Sequence, residues 1–190
     1  MTGAPAGMAA ILLAAGRSSR FGGNKLVASL DGEPLIRHAA RTLAALAFAD
    51  LFVVAGPDTP DLGDLGFRPA PCAEPIPALS ASLRAGVAAA ENAGASSVCI
   101  ALADMPLVGA HHYAAMFDLF RADGEPVGSR VGHRVQPPAL FGRDWFERLK
   151  ALSGDNGAKG LLASQRAVEM TSAMAADVDT PADLARLRDR

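Results

Sequence analysis

The chain has 190 residues, the length of roughly one domain at ~150 residues each, and half of them are hydrophobic with 20% charged, enough for a real core. The 18 Lys and Arg nearly cancel the 20 Asp and Glu, leaving a net charge of −2. That balance excludes a whole-surface basic footprint for nucleic acid and a polybasic membrane module, and the two cysteines, Cys72 and Cys99, exclude a disulfide framework. Only three of the cations are lysines, Lys25, Lys150 and Lys159, so each invites a question about its role.

The start of the chain, MTGAPAGM, lacks the basic residues of a secretory signal, and residues 1–7 read as a flexible tail before a single domain. The apolar stretch that follows is far shorter than the ~20 residues a membrane-spanning helix needs, so a soluble cytoplasmic protein is expected. Residues 9–15 (AAILLAA) predict a buried strand running into a glycine-rich turn. Pro34 opens a helix to about Phe48, with Leu35, Ile36, Ala39, Leu43 and Leu46 at helical spacing. Residues 51–55 (LFVVA) read as a second buried strand, and 57–77 as loop around a short strand near 67–71.

A helix is predicted over 79–93, a third buried strand over 98–102 and a helix over 111–120. Cys99 inside that strand reads as a small buried hydrophobe. Strands at 126–131 and 138–141 belong to a less regular part, followed by helices at 143–152 and 157–164 and a strand at 167–173. Thr180-Pro181-Ala182-Asp183 carries an N-cap residue, a first-turn proline and an acid, and starts a last helix to about Arg188. Strand–helix alternation of this kind predicts an α/β fold, a three-layer doubly wound, mostly parallel sheet with helices on both faces.

The most informative stretch is Leu13-Ala-Ala-Gly-Arg-Ser-Ser-Arg-Phe-Gly-Gly-Asn-Lys25, directly after the first strand, where an open parallel sheet presents its ligand crevice. Gly16, Gly22 and Gly23 let backbone N–H groups approach an anion, Arg17, Arg20 and Lys25 add fixed positive charge, and Ser18 and Ser19 are further donors. A chelated polyphosphate is the natural partner of that set. Five residues separate Gly16 from Gly22, and Leu26 follows Lys25, so this is no Walker loop; the dinucleotide fingerprint is absent as well.

This loop, followed by Leu30-Asp-Gly-Glu-Pro-Leu35, resembles the signature of the molybdenum cofactor nucleotidyltransferases (MobA/MocA-like), whose broader relatives include sugar-nucleotide pyrophosphorylases. The resemblance extends through Ser80-Ala-Ser-Leu-Arg-Ala-Gly86, Ala103-Asp-Met-Pro-Leu107, Gln136-Pro-Pro-Ala-Leu-Phe141, Gly154-Asp-Asn-Gly-Ala-Lys159 and Asp177-Val-Asp-Thr-Pro181, nearly the whole chain. It implies a fold like that of the nucleotide-diphospho-sugar transferases. It also implies transfer of a nucleoside monophosphate from an NTP to a phosphate monoester, with release of pyrophosphate.

The resemblance implies roles as well. Lys25 would meet the α-phosphate and Arg20 the β- and γ-phosphates, with Leu13, Ala14, Ala15, Gly16, Arg17, Ser18, Ser19 and Gly22 completing the nucleotide loop. Asp104, at the end of the third strand, and Asp179 would hold Mg²⁺, with Asp177 competing for the second position. A lone strand-end Asp is often a turn or cap residue, and an acid beside a helix N-terminus stabilises the dipole without a metal. Ser80 and Ser82 open a helix, where they either bind ribose or base or simply cap it.

Ala14-Ala15 before Gly16 resembles the cytidylyl branch and favours CTP over GTP. Pro77-Ala78 and Cys72 stand where relatives usually have Gly and Asn, and these departures bear on the base. Asp155 and Lys159, at the start of a short helix, and His133, in the loop-rich segment 128–136, are candidates for binding the acceptor. His38 is expected on a helix surface, and His111 and His112 at a helix start. The leading expectation is CMP transfer to molybdopterin. The alternatives are GTP, another phosphate-monoester acceptor such as a sugar or alditol phosphate, or a non-catalytic chaperone that delivers molybdenum cofactor to an apoenzyme.

Overall fold

The computed structural model describes residues 3–16, 20–72, 78–154, 159–163 and 165–188. Strand β1 (Met8–Ala14) is buried along its full length, as a run without polar interruption should be when both faces of a sheet are covered. A short hairpin, β2 (Ser29–Leu30) and β3 (Glu33–Pro34), turns at Asp31-Gly32 and leads into α1 (Leu35–Ala44). Strand β4 (Asp50–Ala55) and the short β5 (Phe67–Pro69) follow, then α2 (Leu79–Asn92), β6 (Ser97–Leu102) and α3 (Ala110–Arg121). The last third holds β7 (Val127–Val131), β8 (Arg134–Gly142), α4 (Phe146–Lys150), α5 (Lys159–Leu162), β9 (Arg166–Glu169) and α6 (Pro181–Arg188).

Seven strands form one sheet in the order β5-β4-β1-β6-β8-β7-β9. β5, β4, β1 and β6 run parallel, β8 is antiparallel to both of its neighbours, and β9 is parallel to β7. Alternation along β1 divides the core. Ala10, Leu12 and Ala14 pack with Ile36, Leu43, Met116 and Phe117 from α1 and α3. Ala9, Ile11 and Leu13 pack with Leu83, Val87, Phe146 and Leu149 from α2 and α4 on the other face. Three layers result. A satellite cluster of Leu30, Leu35, Val178, Leu184 and Leu187 fastens α6 to the β2–β3 hairpin.

Several boundaries differ from expectation for identifiable reasons. α1 stops at Ala44 because Ala47 takes a positive φ of 54° that no helix continues. The segment 143–152 is a 3₁₀ turn, Arg143–Trp145, followed by the short α4. Ser80 and Ser82 do not cap α2: its N-cap position is Ala78, with no side-chain bond, and both serines lie inside the first turns. The expected loop around His133 is instead the tip of the antiparallel β7–β8 hairpin. Residues 3–7, read as a flexible tail, are tied down. Ala4 N–H donates to Leu46 O at 2.8 Å, Ser96 N–H to Gly7 O at 2.9 Å, and Arg121 bonds Gly3 O. Among the described residues no helix is long and apolar enough to cross a membrane.

Candidate active site

β1 and β6 are in parallel register, with Leu13 opposite Leu102, so both strands end at the same sheet edge. Ala103 N–H donates to Leu13 O at 3.1 Å and carries the pairing one step past the strand, bringing Gly16 and Asp104 to adjoining positions. A cavity of about 540 Å³ opens there. Its walls include Leu13, Ala14, Ala15, Gly16, Lys25, Ser82 and Asp104, all expected to act together. Leu26, Ala78, Leu79, Leu102 and Ala103 complete it; these apolar positions carry no chemical signal and are found only by tracing the chain around the strand ends.

Lys25 is placed by local chemistry. Asn24 caps a 3₁₀ turn, Lys25–Val27, its Oδ1 accepting from Leu26 N–H at 3.0 Å while its Nδ2 donates to Asp58 O at 2.7 Å. This turns the Lys25 side chain inward, where it is only 7% exposed. Its Nζ donates to Asp104 Oδ2 at 2.8 Å and to Asp179 Oδ1 at 2.9 Å. Burial by itself would lower the Lys25 pKa. The charge of Asp104, the hydrogen bonds to both carboxylates and the charge of Asp179 outweigh it and hold the ammonium above its ordinary value. Lys25 is therefore a firmly protonated cation between two acids.

Asp179 reaches the site from the far end of the sequence by two devices. Val178 N–H donates to Asp104 O at 3.0 Å, so the segment 177–179 lies directly against the end of β6. A capping box then fixes the start of α6: Asp183 Oδ2 accepts from Thr180 N–H at 2.7 Å, and Asp183 N–H donates to Thr180 Oγ1 at 3.2 Å. The same Asp183 oxygen accepts from Asp179 N–H at 3.2 Å. Asp179, not Asp177, bonds Lys25, and Arg20 approaches Asp179 at 3.6 Å with its own side chain 78% exposed. Asp177 lines a neighbouring hollow instead, where burial, and then the charges of Asp104 and Asp179, raise its pKa.

Two carboxylates bound to one nitrogen form a donor set suited to Mg²⁺, which takes one or two carboxylates and fills its remaining positions with waters and substrate phosphates. Among the described residues no group of three or more His, Cys, Asp and Glu gathers, and the two carboxylates match a site completed by substrate and water.

The other expected residues are distributed as follows. Gly22 is exposed at φ 76°, a left-handed conformation that glycine adopts without strain. Ser82 is buried on the cavity wall, and its hydroxyl has no hydrogen-bond partner among the described residues. Ser80 is buried off the wall, its backbone N–H donating to Gly154 O at 3.4 Å. Arg17, Ser18, Ser19 and Asp155 lie outside the described residues, and of Lys159 only the backbone, opening α5, is described. His133 is exposed and lines a separate hollow with Arg134 and Gln136, away from the nucleotide cavity.

His38 is half-buried, with its Nε2 2.9 Å from Leu30 O, and His112 is buried against Ser129. Burial pushes the Cys99 thiol up, in keeping with an inert core position.

The family model for the MobA-like NTP transferase domain matches residues 10–169. The chain belongs to the MobA-like NTP transferase family. Among curated members, purine catabolism protein PucB of Bacillus subtilis (strain 168) is 31% identical over 165 residues, covering 81% of this chain and 80% of PucB. Among solved structures, Rv0371c from Mycobacterium tuberculosis H37Rv superposes with a TM-score of 0.79 at 26% identity, covering 96% of this chain and 98% of that one. A nucleotidyl transferase from Methanothermobacter thermautotroptrophicus (Mth528) superposes at 0.75 with 21% identity, over 96% of each chain. The MobA-like chain thus has the three-layer fold of the nucleotide-diphospho-sugar transferases and is a nucleotidyltransferase, as its residues led one to expect.

Proposed function

We propose that this nucleotidyltransferase moves CMP from CTP onto the phosphate of a molybdopterin-type acceptor, with Mg²⁺ held by Asp104 and Asp179. The observation that carries the reading is the single Lys25 nitrogen bonded to both carboxylates at the rim of a cavity walled by the glycine-rich loop. An oxygen of the acceptor phosphate forms a bond to the α-phosphorus. The bond from that phosphorus to the α–β bridging oxygen breaks, and pyrophosphate leaves with the electron pair. The acceptor is already an anion, so no strong general base is required; the obstacle is repulsion between anions and charge on the leaving group.

When bound, the metal supplies charge neutralisation and a template for in-line geometry. Lys25 keeps its proton and places a positive charge at the α-phosphate, and exposed Arg20 reaches the β- and γ-phosphates from the loop. Ser82, with its hydroxyl uncommitted, faces the nucleotide. Ala14 and Ala15 line the cavity beside the loop, where a methyl group occupies space that a glycine would leave open, which supports a pyrimidine over a purine.

The test is pyrophosphate release from the protein with Mg²⁺, each NTP in turn and a molybdopterin source. Release is expected with CTP above all others. Release with no NTP would refute the transferase reading, and faster turnover with GTP would overturn the base.

A further inference from the structure

Beyond Asp104 from the nucleotide cavity lies a second hollow of about 400 Å³. Leu102 belongs to the walls of both, and Asp104 lines the first while Met105, the next residue, lines the second, so the two adjoin at the end of β6. The second wall is largely apolar, with one cation, Arg134, and one anion, Asp177, among the described residues. Its neighbours in the sheet are occupied: Arg130 pairs with Glu169, and Arg143 with Glu91. Arg134 makes no hydrogen bond, ion pair or ring contact among the described residues. Its five N–H donors, in a fork that matches a phosphate, are uncommitted.

We propose that this hollow is the acceptor subsite and that Arg134 receives the acceptor's phosphate; the inference rests on the nucleotidyl-transfer reading and deepens it. In-line displacement requires the attacking oxygen to enter opposite the departing pyrophosphate. With the pyrophosphate assigned to the glycine-rich loop, an acceptor entering from the opposite side would come from the hollow that adjoins the cavity at Leu102. An incoming phosphate meets the negative charge of Asp177 there, and Arg134 is the group on that wall able to offset it.

The shape adds a second constraint. Arg134 and Gln136 lie two apart on β8 and so share a face. Both also line the adjoining hollow of about 460 Å³ that contains His133 and Ala163. The two side chains form a ridge between the hollows. The acceptor is therefore a phosphate monoester with an extended body, its phosphate on the metal side of the ridge and its ring system across it. Asp177 and the Gln136 carbonyl provide acceptors for N–H or O–H groups on that body. A compact sugar phosphate would leave the outer hollow empty.

The test uses the whole protein loaded with Mg²⁺ and a methylene-bridged analogue of CTP or, separately, of GTP, so that the triphosphate site is filled. Phenyl phosphate is then titrated by calorimetry into wild type, Arg134→Ala and Arg134→Lys. Arg134→Ala is expected to weaken phenyl phosphate at least tenfold, Arg134→Lys to recover part of it, and both to bind the nucleotide analogue as wild type does. Inorganic phosphate, which lacks the apolar body, is expected to bind wild type more weakly than phenyl phosphate.

In turnover, Arg134→Ala is expected to raise the acceptor KM while leaving the nucleotide KM unchanged. Equal phenyl phosphate affinity in wild type and Arg134→Ala, or no binding to wild type, overturns the assignment. A parallel loss of analogue affinity overturns it too, by placing Arg134 on the nucleotide. Failure of the transferase reading shows separately, as wild type that releases no pyrophosphate with any NTP.

Discussion

Replacing Lys25 by methionine tests whether this side chain and the metal compete for one pair of carboxylates. The substitution keeps length and removes the charge. It strips the shared cation from Asp104 and Asp179, whose side chains are 24% and 43% exposed. Removing one partner of a fully buried pair costs about 3–5 kcal/mol. Here both acids retain some water, so about 1–3 kcal/mol is expected, a fall in Tm of roughly 3–9 °C for a domain of this size.

Metal binding should move the opposite way. A unit charge 4 Å from another interacts by about 4 kcal/mol at an effective dielectric of 20, and solvent reduces that to about 1 kcal/mol at an exposed pair. With the ammonium gone, a divalent ion meets two unneutralised carboxylates. Its affinity without nucleotide should rise about tenfold, which corresponds to ~1.4 kcal/mol. Calorimetric titration of nucleotide-free wild type and Lys25→Met with Mn²⁺ reads this directly, and thermal melts with and without Mg²⁺ should show the variant recovering more of its loss. Turnover should fall at least a hundredfold despite the tighter metal, since the α-phosphate loses its fixed cation. Identical Mn²⁺ affinity in the two proteins would refute the shared-site reasoning.

Two further outcomes test the scaffold. A Cβ on Gly86 would stand 2.4 Å from Ile11 Cγ2 and 3.2 Å from Val54 Cγ2, so α2 could not keep its present approach to β1 and β4. Gly86→Ala should therefore destabilise by about 1–2 kcal/mol in denaturant melts even though alanine is the better helix former by about 1 kcal/mol; a stabilised variant would show that the helix moves away at no cost. His112, 2% exposed, has its pKa pushed down to about 4 by burial and then by the charge of His111, against an ordinary 6.5. Between those values the unfolded chain binds the proton and the folded chain does not. The His112 contribution, up to about 3 kcal/mol, is present above pH 6.5 and lost as pH falls towards 4. His112→Gln should flatten the decline of Tm between pH 7 and pH 4.5, and an unchanged slope would exclude His112 as its source.

How much of this was legible in the sequence depends on whether the determinant is local. β1 and β6 announce themselves as apolar runs without polar interruption, and the loop from Gly16 to Lys25 follows from the strand that precedes it. The choice between Asp177 and Asp179 was not local. Both sit in one short extended segment, and what separates them is the bond from Val178 N–H to Asp104 O together with the grip of Asp183 on Asp179 N–H.

Only the second half of β8 was expected, over 138–141, and its first half was missed for a different reason. Pro137 and Pro138 lie mid-strand, and neither can donate to a ladder. In the structure they fall where β8 is paired to neither neighbour, beside the register shift of β7, and Ser129 Oγ donates to Pro138 O at 2.8 Å across the gap. His112 Nε2, 2.8 Å from that hydroxyl, then has to be the N–H donor, because the single serine proton is committed to the carbonyl. A buried neutral histidine therefore supports the strand that carries Arg134 and Gln136, a link that no spacing rule contains.

The same distinction explains why a near-neutral chain can hold a strongly charged site. Lys25, Asp104 and Asp179 come from a loop after β1, the end of β6 and the segment before α6, the first and the last 154 positions apart. Their charges cancel to within one unit, so neither net charge nor any sequence window records them. Asp104 is positioned by the sheet edge itself, and Lys25 by the Asn24-capped turn in the loop that follows β1. Asp179 depends on α6 and its satellite cluster, which packs on the β2–β3 hairpin and the start of α1, and on the bond from Val178 N–H to Asp104 O. Opening of that small cluster would leave the segment carrying Asp179 held to the sheet by the Val178–Asp104 bond, so the integrity of the site also depends on a peripheral helix of eight residues and its capping box. The central sheet brings the strand ends together; the completeness of the acid pair is decided partly outside it.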